Sequence, residues 1–416
     1  MSNRLKSFSG GIHPPDNKQW SAHKPIEDCP LPEELTIPLS QHIGAPATAC
    51  VEKGQQVAKG QMVGDAKGFV SVPVHASTSG EVVAVEPRPH PSGSMLPAVV
   101  IRPDGEDRWS DDLAGADPAQ LPPEDMVELV RLAGVVGMGG AAFPAHVKMS
   151  PPPEKKIRTL VFNGVECEPY LTADHRLMLE DTERMLQGIA LLRHIYAAER
   201  VVIGVEANKP DAIELLQAEC EGAPVEIMPL QVKYPQGAEK QLIVAATGRE
   251  VPSGGLPMDV GVAVHNVSTA AAVTDAILHG HPLIERVCTV TGPAVSEPKN
   301  LRIRIGTPLS HLVDVCGGMS EEPGKIILGG PMMGFAQTDL TAPAVRGTSG
   351  LLLLREEDVV QQQEGPCIRC SRCVQGCPMH LLPTTIAAYA RRDLVAETEE
   401  YCAMDCIECG GCSYSC

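Results

Sequence analysis

Two runs of four cysteines constrain this chain more than any other feature. "CIRCSRCVQGCP" places Cys367, Cys370, Cys373 and Cys377 at C-x2-C-x2-C-x3-C spacing, and "CIECGGCSYSC" repeats it with Cys406, Cys409, Cys412 and Cys416. Three thiolates two residues apart can wrap one face of an iron–sulfur cube, while the fourth, just past the loop, points toward a neighbouring cube. The spacing therefore predicts two 4Fe–4S clusters with exchanged fourth ligands. Cys416 completes the cluster of Cys367, Cys370 and Cys373, and Cys377 completes that of Cys406, Cys409 and Cys412. Structural zinc is the alternative, but zinc sites usually use cysteine pairs separated by a longer loop, which two identical four-cysteine runs do not match. The proline that follows Cys377 has no counterpart after Cys416, as expected of a sequence trimmed at its last ligand.

Fifteen cysteines are present, and nine lie beyond Pro366. In a reducing compartment such a concentration serves metal rather than disulfides. Cys402 falls outside the pattern and reads as a packed thiol, as do the isolated Cys29, Cys50, Cys220, Cys288 and Cys316. Between the runs, "LLPTTIAAYARRDLVAETEEY" is rich in helix formers and lacks glycine, so this module is expected to be helical.

A net charge of −18, with acidic residues spread along the chain, argues against a surface that tracks nucleic-acid phosphates. No run of about eighteen apolar residues occurs, and the start "MSNRLKSFSGGIHPPDNKQW" has no apolar core of the signal-peptide kind. The expectation is a cytoplasmic protein that reaches a membrane only through partners. Its 416 residues exceed one ordinary core, so several domains are expected.

An electron wire needs a source, and the middle of the chain has the pattern for one. From about Asp125 an amphipathic helix "EDMVELVRLAG" leads to a glycine loop "GVVGMGGAAFP" and a short apolar strand "IRTLVF". A helical stretch follows with Met185, Ile189, Leu192 and Tyr196 on one stripe, then "RVVIGVEA" as strand, "DAIELLQAEC" as helix and "PVEIMPL" as strand. This alternation predicts a parallel sheet of Rossmann type. Gly134, Gly137, Gly139 and Gly140 would let a nucleotide or flavin approach bare backbone, or would serve only as a tight turn. Glu166 and Glu168 in "NGVECEPY" directly follow a strand, at the edge where open α/β sheets bind ligands, and an extended segment would put both on one face.

"GGIHPPDNK", "GMGGAAFPAHVK", "NGVECEPYLTADHR", "KYPQGAEKQL" and the paired cysteine runs, taken in order, resemble the C-subunit family of the Rnf ion-translocating electron transport complex over nearly the whole chain. The central part is similar to the NADH-oxidising flavin subunit of respiratory complex I. The resemblance implies noncovalent FMN, with NADH as substrate. By position it assigns Gly137, Gly139, Gly140 and Lys148 to the flavin phosphate and ribityl region, and Asn163, Glu166, Tyr234 and Gly237 to the ring. "VHNVST" adds Asn266 and Thr269, while Phe143, Glu168 and Glu239 would face the nicotinamide nucleotide. Met138, Ala142, Val165 and His265 depart from the complex I pattern. A flavin can accept a hydride and release single electrons to clusters, so no protein acid or base is needed as a catalytic residue. His146, His175 and His265 accordingly read as satisfied polar residues.

The flanks complete a multidomain α/β reading. Residues 1–115 hold an N-terminal segment and a barrel-sandwich hybrid of biotinyl/lipoyl type, on the halves "VEKGQQVAKGQ" and "ASTSGEV". Its hairpin midpoint falls near Phe69 and Val70 with Lys67 off centre, so no prosthetic group is expected. Residues 120–275 form the Rossmann-like FMN/NADH domain, 280–345 a soluble ligand-binding β-grasp domain, and 360–416 the ferredoxin module. "GGPMMG" reads as a turn against the flavin domain, and "QQQEGP" as the linker before the ferredoxin module. The resemblance implies a peripheral subunit on the cytoplasmic side of a bacterial inner membrane. It would exchange hydride with NADH and relay electrons to other Rnf subunits, especially a ferredoxin-type one. A cobalamin reductase of similar layout and a relay without a working nucleotide site are the alternatives.

Overall fold

A computed structural model of the chain describes residues 5–359 and 365–416. Most of the expected linker "QQQEGP" lies outside the described residues. At the centre four parallel strands run in the order Val225–Leu230, Arg200–Glu206, Thr159–Gly164, Val262–Asn266. The two middle strands are almost wholly buried, as their unbroken apolar runs require when helices cover both faces. The predicted helices form at Pro123–Leu132, Ala173–Glu180, Thr182–Tyr196 and Pro210–Glu219. Helix Thr182–Tyr196 packs against Val267–Thr274 at Gly188, where a Cβ would stand 1.8 Å from the Ala270 carbonyl oxygen. The close approach compensates for the roughly 1 kcal/mol that glycine costs inside a helix.

The sandwich pairs Leu35–Pro38, Met95–Pro103, Gly80–Pro89 and Gln56–Val57 in one antiparallel sheet, facing Thr48–Ala49, Met62–Asp65 and Val74–His75 in the other. Leu35, Ile37, Val63, Val74, Val82, Val99 and Ile101 fill the space between them. The hairpin tip docks on the flavin domain, since the Phe69 carbonyl accepts from His146 Nε2 at 2.8 Å. The β-grasp sheet reaches outside the expected 280–345 span. Gly350–Leu354 lies in its middle, and Ile26–Asp28 adds a parallel edge beside Lys299–Arg304.

The chain before the sandwich is therefore a strap between domains. Ile12 and Tyr234 exchange backbone hydrogen bonds at 2.8 and 2.9 Å, Gly11 donates to the Gly376 carbonyl at 3.0 Å, and Ile26 registers with Asn300. The cysteine module is built of short helices, Arg372–Gln375, Pro383–Ala390, Val395–Glu400 and Gly411–Ser415.

Candidate functional site

The sheet order reverses between Thr159–Gly164 and Val262–Asn266, and the crevice outside the carboxyl ends of such strands is where open α/β sheets bind ligands. Asn163 and Asn266 stand opposite each other there, with Asn266 Nδ2 3.5 Å from the Asn163 carbonyl oxygen. Asn266 caps the following helix through Ser268 N at 2.8 Å, and its amide also donates to Asp174 at 2.6 Å. Asn163 Nδ2 donates to the Gly237 carbonyl at 2.8 Å. One group of hydrogen bonds thus gathers Asn163, Gly237 and Asn266 at the switch point.

The glycine loop lies against the same crevice. Met138 N donates to Thr269 Oγ1 at 2.9 Å, and a Cβ on Gly139 would stand 3.5 Å from Asn266. Gly140 has φ of 121° and nothing within 4 Å of a built Cβ. The Gly139 and Gly140 amides have no acceptor among the described residues. Open backbone and free N–H groups are what a phosphate needs. Lys148 Nζ, nearby, pairs with Glu239 at 2.6 Å and is 3.3 Å from the Val264 carbonyl oxygen. Gly137 N closes the loop on the Phe143 carbonyl at 2.8 Å. His265 is buried and neutral, its pKa pushed down to about 3 by burial and then by Lys148, and it bonds the Tyr196 hydroxyl at 2.9 Å. His175 pairs with Asp211 at 2.8 Å.

Glu166 and Glu168 do not share a face. Glu166 has φ of 50°, which breaks the extended run, and its carboxylate accepts from the Asp174 and His175 amides at 2.8 and 3.3 Å. Glu168 turns to the β-grasp domain and accepts from Met332 and Met333 amides at 3.0 and 2.9 Å, so "GGPMMG" is seated against this loop. Burial pushes both carboxyls above their ordinary range, with Lys18 opposing it. Lys18, only 7% exposed, donates to the carbonyls of Glu166, Glu168 and Leu171. Burying an ammonium costs several kcal/mol, and three charge-assisted hydrogen bonds of about 1.5–3 kcal/mol each can offset it. This lysine belongs to "GGIHPPDNK", whose bearing on the site was not legible because its partners lie about 150 residues away in sequence.

Tyr234 connects the crevice to the cysteine module. It is 1% exposed, and its hydroxyl donates to the Cys409 carbonyl at 2.8 Å. Ile12, Tyr234 and Cys409 form one buried apolar group with Cys167, Met332 and Ile407 packed on it. Cys167 escaped the sequence reading. Its sulfur accepts from Gly237 N at 3.3 Å, and burial raises its pKa to about 12. Gln241 adds a second tie, to the Pro378 carbonyl at 3.2 Å.

The two cysteine runs are conformational copies. Arg369 and Glu408, at matching positions, have φ of 56° and 54°, and each donates its amide to the first cysteine sulfur of its run at 3.4 Å. Left-handed Ser371 and Gly410 then start the paired helices Arg372–Gln375 and Gly411–Ser415. Burial raises the Cys409 thiol first, with Cys377, Cys412 and Cys406 close enough to add to the shift. Cys377 of the first run thus lies in the field of the second. Cys373 is raised by burial, with Cys370 and Cys412 adding to the shift, while Cys367, Cys370, Cys406 and Cys416 are exposed. Among the described residues no three His, Cys, Asp or Glu side chains converge on a single ion. Cys402 and Cys50 are exposed rather than packed, because each sits on a turn or edge, and Cys29 is half-buried; Cys220, Cys288 and Cys316 are buried.

Comparison with known proteins agrees with this layout. Residues 6–106 match the RnfC barrel sandwich hybrid domain, 130–275 the Nuo51 FMN-binding domain and 287–336 the SLBB domain. The chain is 50% identical over 403 residues to the C subunit of a proton-translocating ferredoxin:NAD(+) oxidoreductase complex from Clostridium ljungdahlii, covering 96% of this chain and 88% of that one. It is 50% identical to the Na(+)-translocating counterpart of Acetobacterium woodii, covering 97% and 92%. It is 44% identical to the C subunit of an ion-translocating oxidoreductase complex from Rhodobacter capsulatus, covering 92% and 75%. An NAD+-reducing NiFe hydrogenase structure shares the fold at a TM-score of 0.50 and 18% identity, over 74% of this chain and 63% of its own. The chain belongs to the family of C subunits of ion-translocating ferredoxin:NAD(+) oxidoreductase complexes.

Proposed function

We propose that this chain is the subunit of a membrane ion-translocating complex in which NADH oxidation is joined to one-electron transfer toward ferredoxin. The observation that carries the reading is Tyr234. Its backbone segment leads to Gly237 and Asn163 in the switch-point crevice, and its hydroxyl holds the Cys409 loop. In the crevice, Gly137, Gly139, Gly140 and Lys148 would hold the phosphate and ribityl end of FMN. Asn163, Glu166, Tyr234, Gly237, Asn266 and Thr269 would surround the ring, and Phe143, Glu168 and Glu239 would face the nucleotide. FMN, when bound, supplies the exchange between hydride and single electrons.

The chain's own residues order the route. The site of Cys406, Cys409, Cys412 and Cys377 adjoins the crevice, so it is the first cluster site. That of Cys367, Cys370, Cys373 and Cys416 faces outward, with Ile368 83% exposed between two ligands, and serves the other Rnf subunits, a ferredoxin-type one in particular. No helix among the described residues is long and apolar enough to cross a membrane. In this reading the chain is peripheral, on the cytoplasmic face, as a subunit carried by the membrane partners of its complex. The test is reconstitution with iron, sulfide and FMN: about eight irons and one FMN per chain are expected, with anaerobic bleaching by NADH.

A second reading, a relay without a nucleotide site, draws on the carboxylates. Glu168 is occupied by the Met332 and Met333 amides and Glu239 by Lys148. Bound FMN that NADH cannot reduce would favour it.

A further inference from the structure

We infer that Lys18 is a positioning residue, which together with Lys209 turns the amides of Glu166 and Cys167 outward as a donor pair for the electron-rich edge of the flavin ring. Lys209 sets the first amide and Lys18 the second. The inference rests on the FMN reading above and extends it to a residue outside the Rossmann sheet. Two buried lysines lie on one side of the loop after the Thr159–Gly164 strand. Lys209 Nζ takes the Val165 carbonyl at 2.7 Å, and Lys18 Nζ takes those of Glu166 and Glu168 at 2.9 and 3.0 Å and that of Leu171.

In a trans peptide the N–H of the next residue points away from the carbonyl. With the Val165 and Glu166 carbonyls drawn to the lysines, the Glu166 and Cys167 amides must point the other way. Neither has an acceptor among the described residues. Further along, Pro169 has no N–H, and that of Thr172 is taken by Thr289 Oγ1 at 3.1 Å. Glu166 has φ of 50°, and successive N–H groups around a left-handed residue form a concavity suited to negative charge. The loop starts two residues after Asn163, beside the switch point. Donors fixed before the reaction, aimed where charge develops, are most effective in such a site.

Other contacts hold the strap in place independently. Asn300 Nδ2 donates to the Ser21 carbonyl at 2.9 Å, and Tyr170 N donates to that of Asp16 at 2.7 Å. A tether and a flavin-positioning group predict different things. In the full reconstituted chain, Lys18→Met should weaken oxidised FMN about tenfold by flavin fluorescence titration and reduced FMN by about a further tenfold. That extra factor is a fall of about 30 mV in the two-electron flavin potential. Lys18→Arg should recover most of both.

Hydrogen exchange on the wild-type chain needs no variant to fold, and FMN should slow exchange at the Glu166 and Cys167 amides. Loss of thermal stability in Lys18→Met with FMN affinity and potential unchanged would overturn the inference, as would FMN that leaves those two amides unprotected. A wild-type chain that binds no FMN would overturn the flavin reading itself, and this inference with it.

Discussion

The Tyr234 hydroxyl donates to the Cys409 carbonyl at 2.8 Å, and this bond joins the parallel-sheet crevice to the cysteine module. Both residues are buried in one apolar group with Ile12, so the strap, the flavin domain and the module meet where electrons would cross. A neutral buried hydrogen bond is worth about 0.5–1.5 kcal/mol. Tyr234→Phe should therefore loosen this contact about fivefold, read as faster hydrogen exchange around Cys409 and slower reduction of the clusters after the flavin. FMN affinity unchanged with unchanged transfer would show that the contact is incidental.

The exchanged cluster ligands give a separate prediction. Cys377→Ser should impair the cluster of Cys406, Cys409 and Cys412, and Cys416→Ser that of Cys367, Cys370 and Cys373, each leaving about half of the iron if two cubes are held in this way. Iron content and low-temperature magnetic spectra of both variants decide it. Loss of the same cluster in both would contradict the assignment.

Lys148 and Glu239 are each about one-third exposed, so their ion pair contributes little to stability, on the order of 0–1 kcal/mol. Lys148→Ala should leave the melting temperature nearly unchanged. If Lys148 instead meets a phosphate, FMN affinity should fall about tenfold, the scale of one charge-assisted bond. A melting temperature that falls while FMN affinity holds would assign the lysine a structural role.

Stability should decline on both sides of neutral pH. His75 and His265 are held neutral with pKa values near 3 by burial. Below about 6.5 the unfolded chain takes up protons that these rings refuse, so each ring removes about 1.4 kcal/mol per unit as pH drops toward 3. The buried Glu166 and Glu168 carboxyls, which bind protons more readily in the folded chain, oppose this in part. Cys167, Cys288 and Cys316 are pushed up to about 12, burial again being the main cause. Above about 9 the unfolded chain loses protons that these thiols keep, so stability falls again as pH rises toward 12. Urea unfolding across pH would show a plateau between; a maximum below pH 6 would contradict the assignment.

Three strands of the parallel sheet were legible as short, largely apolar runs between helices; the fourth, Val262–Asn266, was not, and Asn163 and Asn266 came from the resemblance. The cysteine runs were legible because each copy is a local conformation written in its own spacing. The strap was not, since Lys18 finds its carbonyls about 150 residues away. Nor was the parting of Glu166 from Glu168, which depends on one left-handed residue and on amides supplied by Met332 and Met333. Cys167 was passed over because a lone cysteine between two glutamates carries no pattern of its own.

The most direct measurement is anaerobic stopped-flow mixing of the fully reconstituted chain with NADH, following flavin and cluster absorbance together. Bleaching of the flavin first, then of the clusters, with the second phase slowed by Tyr234→Phe, is the predicted result. Clusters that dithionite reduces but NADH leaves oxidised, with the flavin untouched, would contradict the account.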